Sequence, residues 1–126
     1  MTWNFNSTAP IYIQIIEHIR LSVAVGEYKA GEKLLSVREL AAEAEVNPNT
    51  MQKALSELER DGLLFAQRTS GRFITKDTEA IARLRKQLAE EQMETFLNKM
   101  DQLGYSPDES LLLLKAHTEK DINRKE

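Results

Sequence analysis

The 126-residue sequence contains no cysteine, so it can form neither a disulfide nor a thiolate metal site. That composition fits a reducing compartment, and we expect a cytoplasmic location. Apolar residues never run for the roughly 18 positions that a membrane-spanning helix needs, and no basic and apolar leader opens the chain. We therefore expect no membrane partner and no export.

Signals of catalysis are absent as well. The chain has five glycines and three prolines, and no glycine-rich phosphate loop follows a strand-like segment. No nucleophile lies near a plausible base, and no carboxylate pair occurs in an apolar setting. His117 is close in sequence to Glu119 and Asp121, but this spacing on a polar helix face is typical of solvated charge. We predict neither an enzyme nor a cofactor nor a metal site.

Charge is divided unevenly along the chain, whose formal net charge is −3. Residues 1–76 contain nine basic and nine acidic side chains, whereas residues 77–126 contain eight and eleven. A neutral N-terminal part predicts modest non-specific affinity for nucleic acid, because that affinity comes from neutralised phosphates. Tight binding would then require two copies that act together.

The sequence predicts a helix, a short turn and a second helix within residues 36–61. Ser36 can cap the first helix, and Glu39 three residues later completes a capping box. Asn47 is a favourable N-cap for the second helix, and Pro48 suits its first position. Gly62 is expected to end this helix. The predicted apolar faces comprise Leu40, Ala41, Ala44 and Val46 in the first helix, and Met51, Ala54, Leu55 and Leu58 in the second.

A short hairpin is predicted to follow, with strands at residues 64–67 and 72–75 and a turn-rich tip at residues 68–71. Phe65, Phe73 and Ile74 supply its apolar anchors. Arg68 and Arg72 are expected to project from the tip, where basic side chains suit phosphates or a narrow minor groove. Two helices and such a hairpin predict a winged helix-turn-helix, a mainly α fold with a small β wing.

The start of the second helix carries side chains suited to contact with bases. Asn and Gln can pair bidentately with adenine, a Thr methyl can contact the thymine methyl, and a helix N-terminus favours phosphate. A solvated helix start would show the same polarity, so the hairpin that follows is what favours a DNA-binding role. The side chains concerned are Asn47, Asn49, Thr50, Gln52 and Lys53.

Short segments between residues 10 and 74 match, in order, those of a known family. They are PIYIQI at 10–15, GEYKAG at 26–31, LLSVRELA at 34–41, NPNT at 47–50, AL at 54–55 with Leu58, DGLL at 61–64 and GRFI at 71–74. On these residues the chain resembles the GntR family of bacterial transcription regulators. Its length points to the small YtrA-like subfamily.

The resemblance implies DNA contacts in both helices and in the wing. They would fall on Ser36 and Arg38, on Asn47, Asn49, Thr50 and Gln52, and on Arg68, Thr69, Ser70 and Gly71. Arg38 is the strongest candidate, because arginine can bind guanine bidentately. Leu35 stands where the family usually has proline, Thr69 where a first wing glycine is common, and Pro48 where an arginine is frequent.

The N-terminal part predicts one more helix, from Pro10 to Gly26. Its apolar positions recur every three or four residues and are expected to pack under the two helices that follow: Ile11, Ile15, Ile16, Ile19 and Val23. Trp3 and Phe5 precede this helix. They could pack against the tail or against a partner subunit.

The tail shows a long helical pattern over residues 78–103, ended by Gly104, and a last helix opened by a capping box at Ser106 and Glu109. Two such helices cannot enclose a core, so the simplest partner is the same tail of a second subunit. Two-fold pairing would place each recognition helix on half of a palindromic site. The predicted dimerisation residues are Ile81, Leu84, Leu88, Phe96, Met100, Leu103, Leu111, Leu112 and Leu114, and Ile122 would extend the last helix.

We therefore predict a winged helix-turn-helix DNA-binding domain at residues 1–76 and a two-helix dimerisation tail at residues 77–126. The favoured function is a homodimeric repressor that binds double-stranded operator DNA. The resemblance implies control of its own operon or of neighbouring transporter genes. A ligand pocket within one tail is not expected, although a groove across a dimer remains open. The alternative is a protein-interaction module that keeps the winged-helix scaffold without specific DNA recognition.

Overall fold

A computed structural model describes the backbone of residues 2–125 and the side-chain surroundings of residues 2–120. Over that range the chain forms five helices and two strands: α1 (Ile11–Ala24), α2 (Val37–Ala44), α3 (Pro48–Arg60), β1 (Leu64–Gln67), β2 (Gly71–Ile74), α4 (Thr78–Gln102) and α5 (Pro107–Lys125). The predicted fold class, mainly helical with a small hairpin wing, is confirmed. The chain divides into two compact units at residues 1–86 and 87–126. The functional boundary between residues 76 and 77 stays a prediction.

The core of the first unit holds α2 and α3 in place. All four predicted inward residues of α3 are at most 1% exposed. They pack with Ile15, Ile19 and Val23 of α1 and with Leu40, Ala41 and Ala44 of α2. Burial of one large apolar side chain contributes about 1.5–3 kcal/mol, so this shared core fixes α2 and α3 against α1.

Local contacts cap the start of α2 and also close the short turn between α2 and α3. The predicted capping box is present: the Glu39 amide donates to Ser36 Oγ and the Ser36 amide to Glu39 Oε1, both at 3.2 Å. Glu45 ends α2 in a left-handed conformation, with φ of 57°. Asn47 Oδ1 then accepts from the Asn49 amide at 2.7 Å, and Pro48 begins α3.

The wing contains more strand pairing than the sequence suggests. β1 and β2 pair antiparallel, from Leu64 opposite Ile74 to Gln67 opposite Gly71. The second strand thus begins at Gly71, whose φ is +101°, and not at residue 72. The segment before α2 also pairs with β2: Lys33 forms a bridge with Phe73, and the Leu34 amide donates to the Arg72 carbonyl at 2.9 Å.

The two N-terminal aromatic residues pack on their own unit. Trp3 stacks on His18 of α1 with ring centroids 3.9 Å apart, and its Nε1 donates to Glu43 Oε1 at 3.4 Å. Both Trp3 and Phe5 lie against the core of the first unit. Burial lowers the pKa of His18 below its usual value. The expectation that these rings pack on the tail or on a partner is therefore not met.

In the tail, the capping box that opens α5 is present, with the Glu109 amide donating to Ser106 Oγ at 3.1 Å. Two predicted dimerisation residues are used differently: Ile81 packs against the core of the first unit, and Leu84 is only 8% exposed. Both residues therefore have packing partners within the single chain, and their part in dimerisation stays a prediction. The Ile122 side chain lies outside the described surroundings. Among the described residues, no helix has the length and apolarity needed to cross a bilayer.

Candidate nucleic-acid interface

The first turns of α3 present a polar outer face. Four of the five predicted side chains there are exposed, and Thr50 is half-buried. This follows from the helical period, because Met51, Ala54, Leu55 and Leu58 occupy the inner face. Gln52 Nε2 donates to Ser56 Oγ at 3.1 Å, which leaves its carbonyl oxygen free to accept. The exposed groups are Asn47, Asn49, Gln52 and Lys53.

Lys53 is held by a residue that the sequence analysis did not assign to the site. Its Nζ lies 3.8 Å from the centroid of the Tyr12 ring, over the ring face. Such a contact stabilises by about 0.5–1 kcal/mol at an exposed site and orients the ammonium group. Tyr12 lies in the first turn of α1, so the candidate site includes the N-terminal end of that helix. No local signal marks Tyr12, since the pairing depends on how α1 packs on α3.

Arg38 and Ser36 lie at the start of α2 and differ in what holds them. Arg38 is exposed, and within residues 2–120 it has no ion-pair partner. Ser36 is exposed and its Oγ accepts the Glu39 amide, so the hydroxyl still has its proton and a second lone pair for a ligand. Arg38 is thus available for contact with a base edge, whereas Ser36 is suited to donate to a phosphate.

The wing tip is exposed from Arg68 to Gly71, as predicted, and the Ser70 amide closes it by donating to the Gln67 carbonyl at 3.1 Å. Arg72 does not project from the tip. Its Nε donates to Glu59 Oε1 at 3.0 Å, and its side chain is 19% exposed. Strand pairing explains this, because Arg72 sits beyond the turn, opposite Ala66. The expected position of Arg72 is therefore wrong, and its contact with DNA stays a prediction.

An open groove of about 570 Å³ lies between the start of α2 and the wing. Its polar lining includes four predicted DNA-binding residues, Ser36, Ser70, Gly71 and Arg72, and also Lys33. Nine of the twelve predicted contact residues therefore fall in two places, the groove and the polar start of α3. Arg38 on α2 and Arg68 and Thr69 at the wing tip lie outside both.

Comparisons with known proteins agree with this geometry. Residues 11–74 match the profile of the family described as bacterial regulatory proteins, gntR family. The chain is 40% identical over 115 residues to the uncharacterized HTH-type transcriptional regulator YhcF of Bacillus subtilis, and the match covers 91% of this chain and 95% of YhcF. It is 45% identical over 71 residues to the HTH-type transcriptional repressor YtrA of the same organism, over 56% of this chain and 55% of YtrA.

Solved structures extend the likeness to most of the chain. A GntR family transcriptional regulator from Listeria monocytogenes superposes with a TM-score of 0.82 at 38% identity, over 89% of this chain and 98% of that one. The DNA-binding domain of AraR, solved in complex with operator ORE1, superposes with a TM-score of 0.52 at 26% identity. That match covers 60% of this chain and 94% of the AraR domain.

Proposed function

Since the chain belongs to the GntR family of bacterial regulatory proteins, we propose that it is a homodimeric repressor that binds a palindromic operator. It is a DNA-binding transcription regulator and not an enzyme. In this proposal residues 1–76 bind DNA and residues 77–126 pair two subunits. Its own operon, or neighbouring transporter genes, are the proposed targets.

The observation that carries the proposal is the exposed polar start of α3. Its backbone is fixed by the Asn47 cap and by a buried inner face, so its outer side chains are presented on a rigid element. Asn49 and Gln52 have the donors and acceptors for adenine, and Arg38 on α2 has two donors for the O6 and N7 acceptors of guanine. Base recognition needs such preorganised groups, whereas a scaffold that only binds proteins does not.

Exposed leucines in the tail support pairing of two subunits. Leu103, Leu111, Leu112 and Leu114 are between 45% and 72% exposed in the single chain. Large apolar side chains exposed in such number over a short segment are unfavourable in water and favour an interaction site. Because residues 1–76 carry no net charge, two linked copies would also supply the affinity that one copy lacks.

Repression is favoured over activation by two considerations. One relative with 45% identity, YtrA, is named a transcriptional repressor. A small dimer represses simply by occupying DNA that a promoter overlaps, which requires no further surface.

The test is fluorescence anisotropy on a duplex that the protein selects from a random pool, with a scrambled duplex beside it. Arg38→Ala should lose about 1–3 kcal/mol of binding free energy on the selected duplex and relax the preference at one base pair. Arg85→Ala is the matched control, because Arg85 is also an exposed arginine and lies on α4. It should bind like the parent.

Equal, weak binding of the parent to both duplexes would contradict the proposal. That result, in a protein whose tails still associate, would favour the protein-interaction module on a winged-helix scaffold. A different outcome is a parent that prefers the selected duplex and an Arg38→Ala variant that binds both duplexes as the parent does. In that case the role proposed for Arg38 is wrong, and the specificity is assigned to α3.

A further inference from the structure

Lys33 lies in a strand-like segment that directly precedes α2. It forms an antiparallel bridge with Phe73 of β2. Two backbone hydrogen bonds flank the bridge, from the Leu34 amide to the Arg72 carbonyl at 2.9 Å and from the Ile74 amide to the Glu32 carbonyl at 2.8 Å. The backbone of Lys33 is therefore fixed to the wing, although the residue belongs to the segment that leads into α2.

The Lys33 side chain runs beside the beginning of β2. A Cβ atom placed on Gly71 would lie 3.5 Å from Lys33 Cε, so the end of the aliphatic stem lies beside this glycine. Gly71 is where the tip turns into the second strand. The stem is thus supported by the wing backbone, which limits where the ammonium group at its end can lie.

The ammonium group of Lys33 is available to a ligand. Lys33 is exposed, and within residues 2–120 no carboxylate lies within ion-pair distance of it. The acidic residue that lines the same groove, Glu39, accepts the Ser36 amide at 3.2 Å as part of the capping box. The groove therefore combines a free cation with the hydroxyls of Ser36 and Ser70.

We propose that Lys33 binds a phosphate of the DNA backbone in the groove between α2 and the wing. The inference rests on the proposed function, because α2 and the wing must face the same duplex. A lysine is a compact point charge, which suits a phosphate and carries no base preference. A strand of the duplex that runs between the two elements passes this groove, with Ser36 and Ser70 as hydroxyl donors beside the lysine.

The experiment measures binding of Lys33→Gln to the selected and the scrambled duplex over a range of salt concentrations. Each phosphate contact contributes about 0.9 to the slope of log K against log salt concentration. Lys33→Gln should therefore reduce the slope by about 0.9 for each bound subunit and weaken both duplexes by the same factor. Lys29→Gln, an exposed lysine outside the groove, is the control. Lys33→Arg should restore the slope, and thermal unfolding confirms that each variant folds.

Two results would overturn the inference while leaving the proposed function intact. In one, Lys33→Gln keeps the parental slope while Arg38→Ala loses specificity, which makes Lys33 a packing residue only. In the other, Lys33→Gln weakens the selected duplex alone, which assigns it to a base. If the parent does not distinguish the two duplexes, the proposed function fails and the inference fails with it.

Discussion

At the scale of single residues, two side chains in the candidate interface already serve the fold. Ser36 and Asn47 each cap the helix that they precede, through contacts to Glu39 and Asn49. Each still has groups that can bind a ligand, including the hydroxyl proton of Ser36 and the amide Nδ2 of Asn47. Loss of DNA binding after an alanine substitution at either position would therefore have two explanations, one in stability and one in contact.

Asn47 offers a pair of variants that separates these effects. Asn47→Ala removes the cap and should lower the free energy of unfolding by about 0.5–2 kcal/mol. Asn47→Asp keeps an oxygen for the Asn49 amide and adds negative charge at a helix N-terminus, so stability should be retained. The same charge repels phosphate, so Asn47→Asp should still bind DNA more weakly. Urea unfolding and anisotropy measure the two quantities, and parental affinity in Asn47→Asp would exclude Asn47 from the interface.

At the scale of elements, prediction succeeded where the signal is local. The caps at Ser36, Asn47 and Ser106 and the inner face of α3 follow from residues within one or two helical turns of each other. Contacts between distant parts of the chain were predicted wrongly or were not predicted at all. The bridge between Lys33 and Phe73, the contact of Lys53 with Tyr12 and the packing of Trp3 on His18 all depend on tertiary packing.

Arg72 shows the same limit in a candidate site residue. Its sequence position beside the tip suggested an outward arginine, but only the packed fold brings Glu59 of α3 to it. The ion pair joins β2 to α3, so it connects the wing with the recognition helix. A pair that is partly exposed contributes at most about 1 kcal/mol to stability, and its main effect is on orientation.

Removal of this pair should loosen the wing without unfolding the domain. Glu59→Ala is expected to change the free energy of unfolding by less than about 1 kcal/mol. Amide hydrogen exchange in residues 66–72 should become faster, because the tie between β2 and α3 is lost. Glu57→Ala is the control on the same helix. Unchanged exchange in Glu59→Ala would show that strand pairing alone holds the wing.

At the scale of the whole molecule, an N-terminal part without net charge, to which we assign DNA binding, is joined to a tail with an acidic excess and exposed leucines. Each part has a deficit when taken alone. The first lacks the phosphate attraction that gives a single copy high affinity, and the second has apolar surface exposed to water. Pairing through the tail would address both, since it covers leucines and places two recognition helices on one duplex.

Leu112→Glu tests that coupling, because Leu112 is 67% exposed in the single chain and its replacement leaves the monomer core intact. Sedimentation equilibrium should show a dimer for the parent and a monomer for the variant, with about 10²–10⁴-fold weaker operator binding. Thr118→Glu, an exposed position on the same helix with the same charge change, should remain dimeric. A dimer that survives Leu112→Glu would place the interface elsewhere.

The DNA provides an independent check: insertion of about half a helical turn between the half-sites puts them on opposite faces of the duplex. A coupled dimer should then bind as weakly as the variant, whereas two independent monomers would be unaffected.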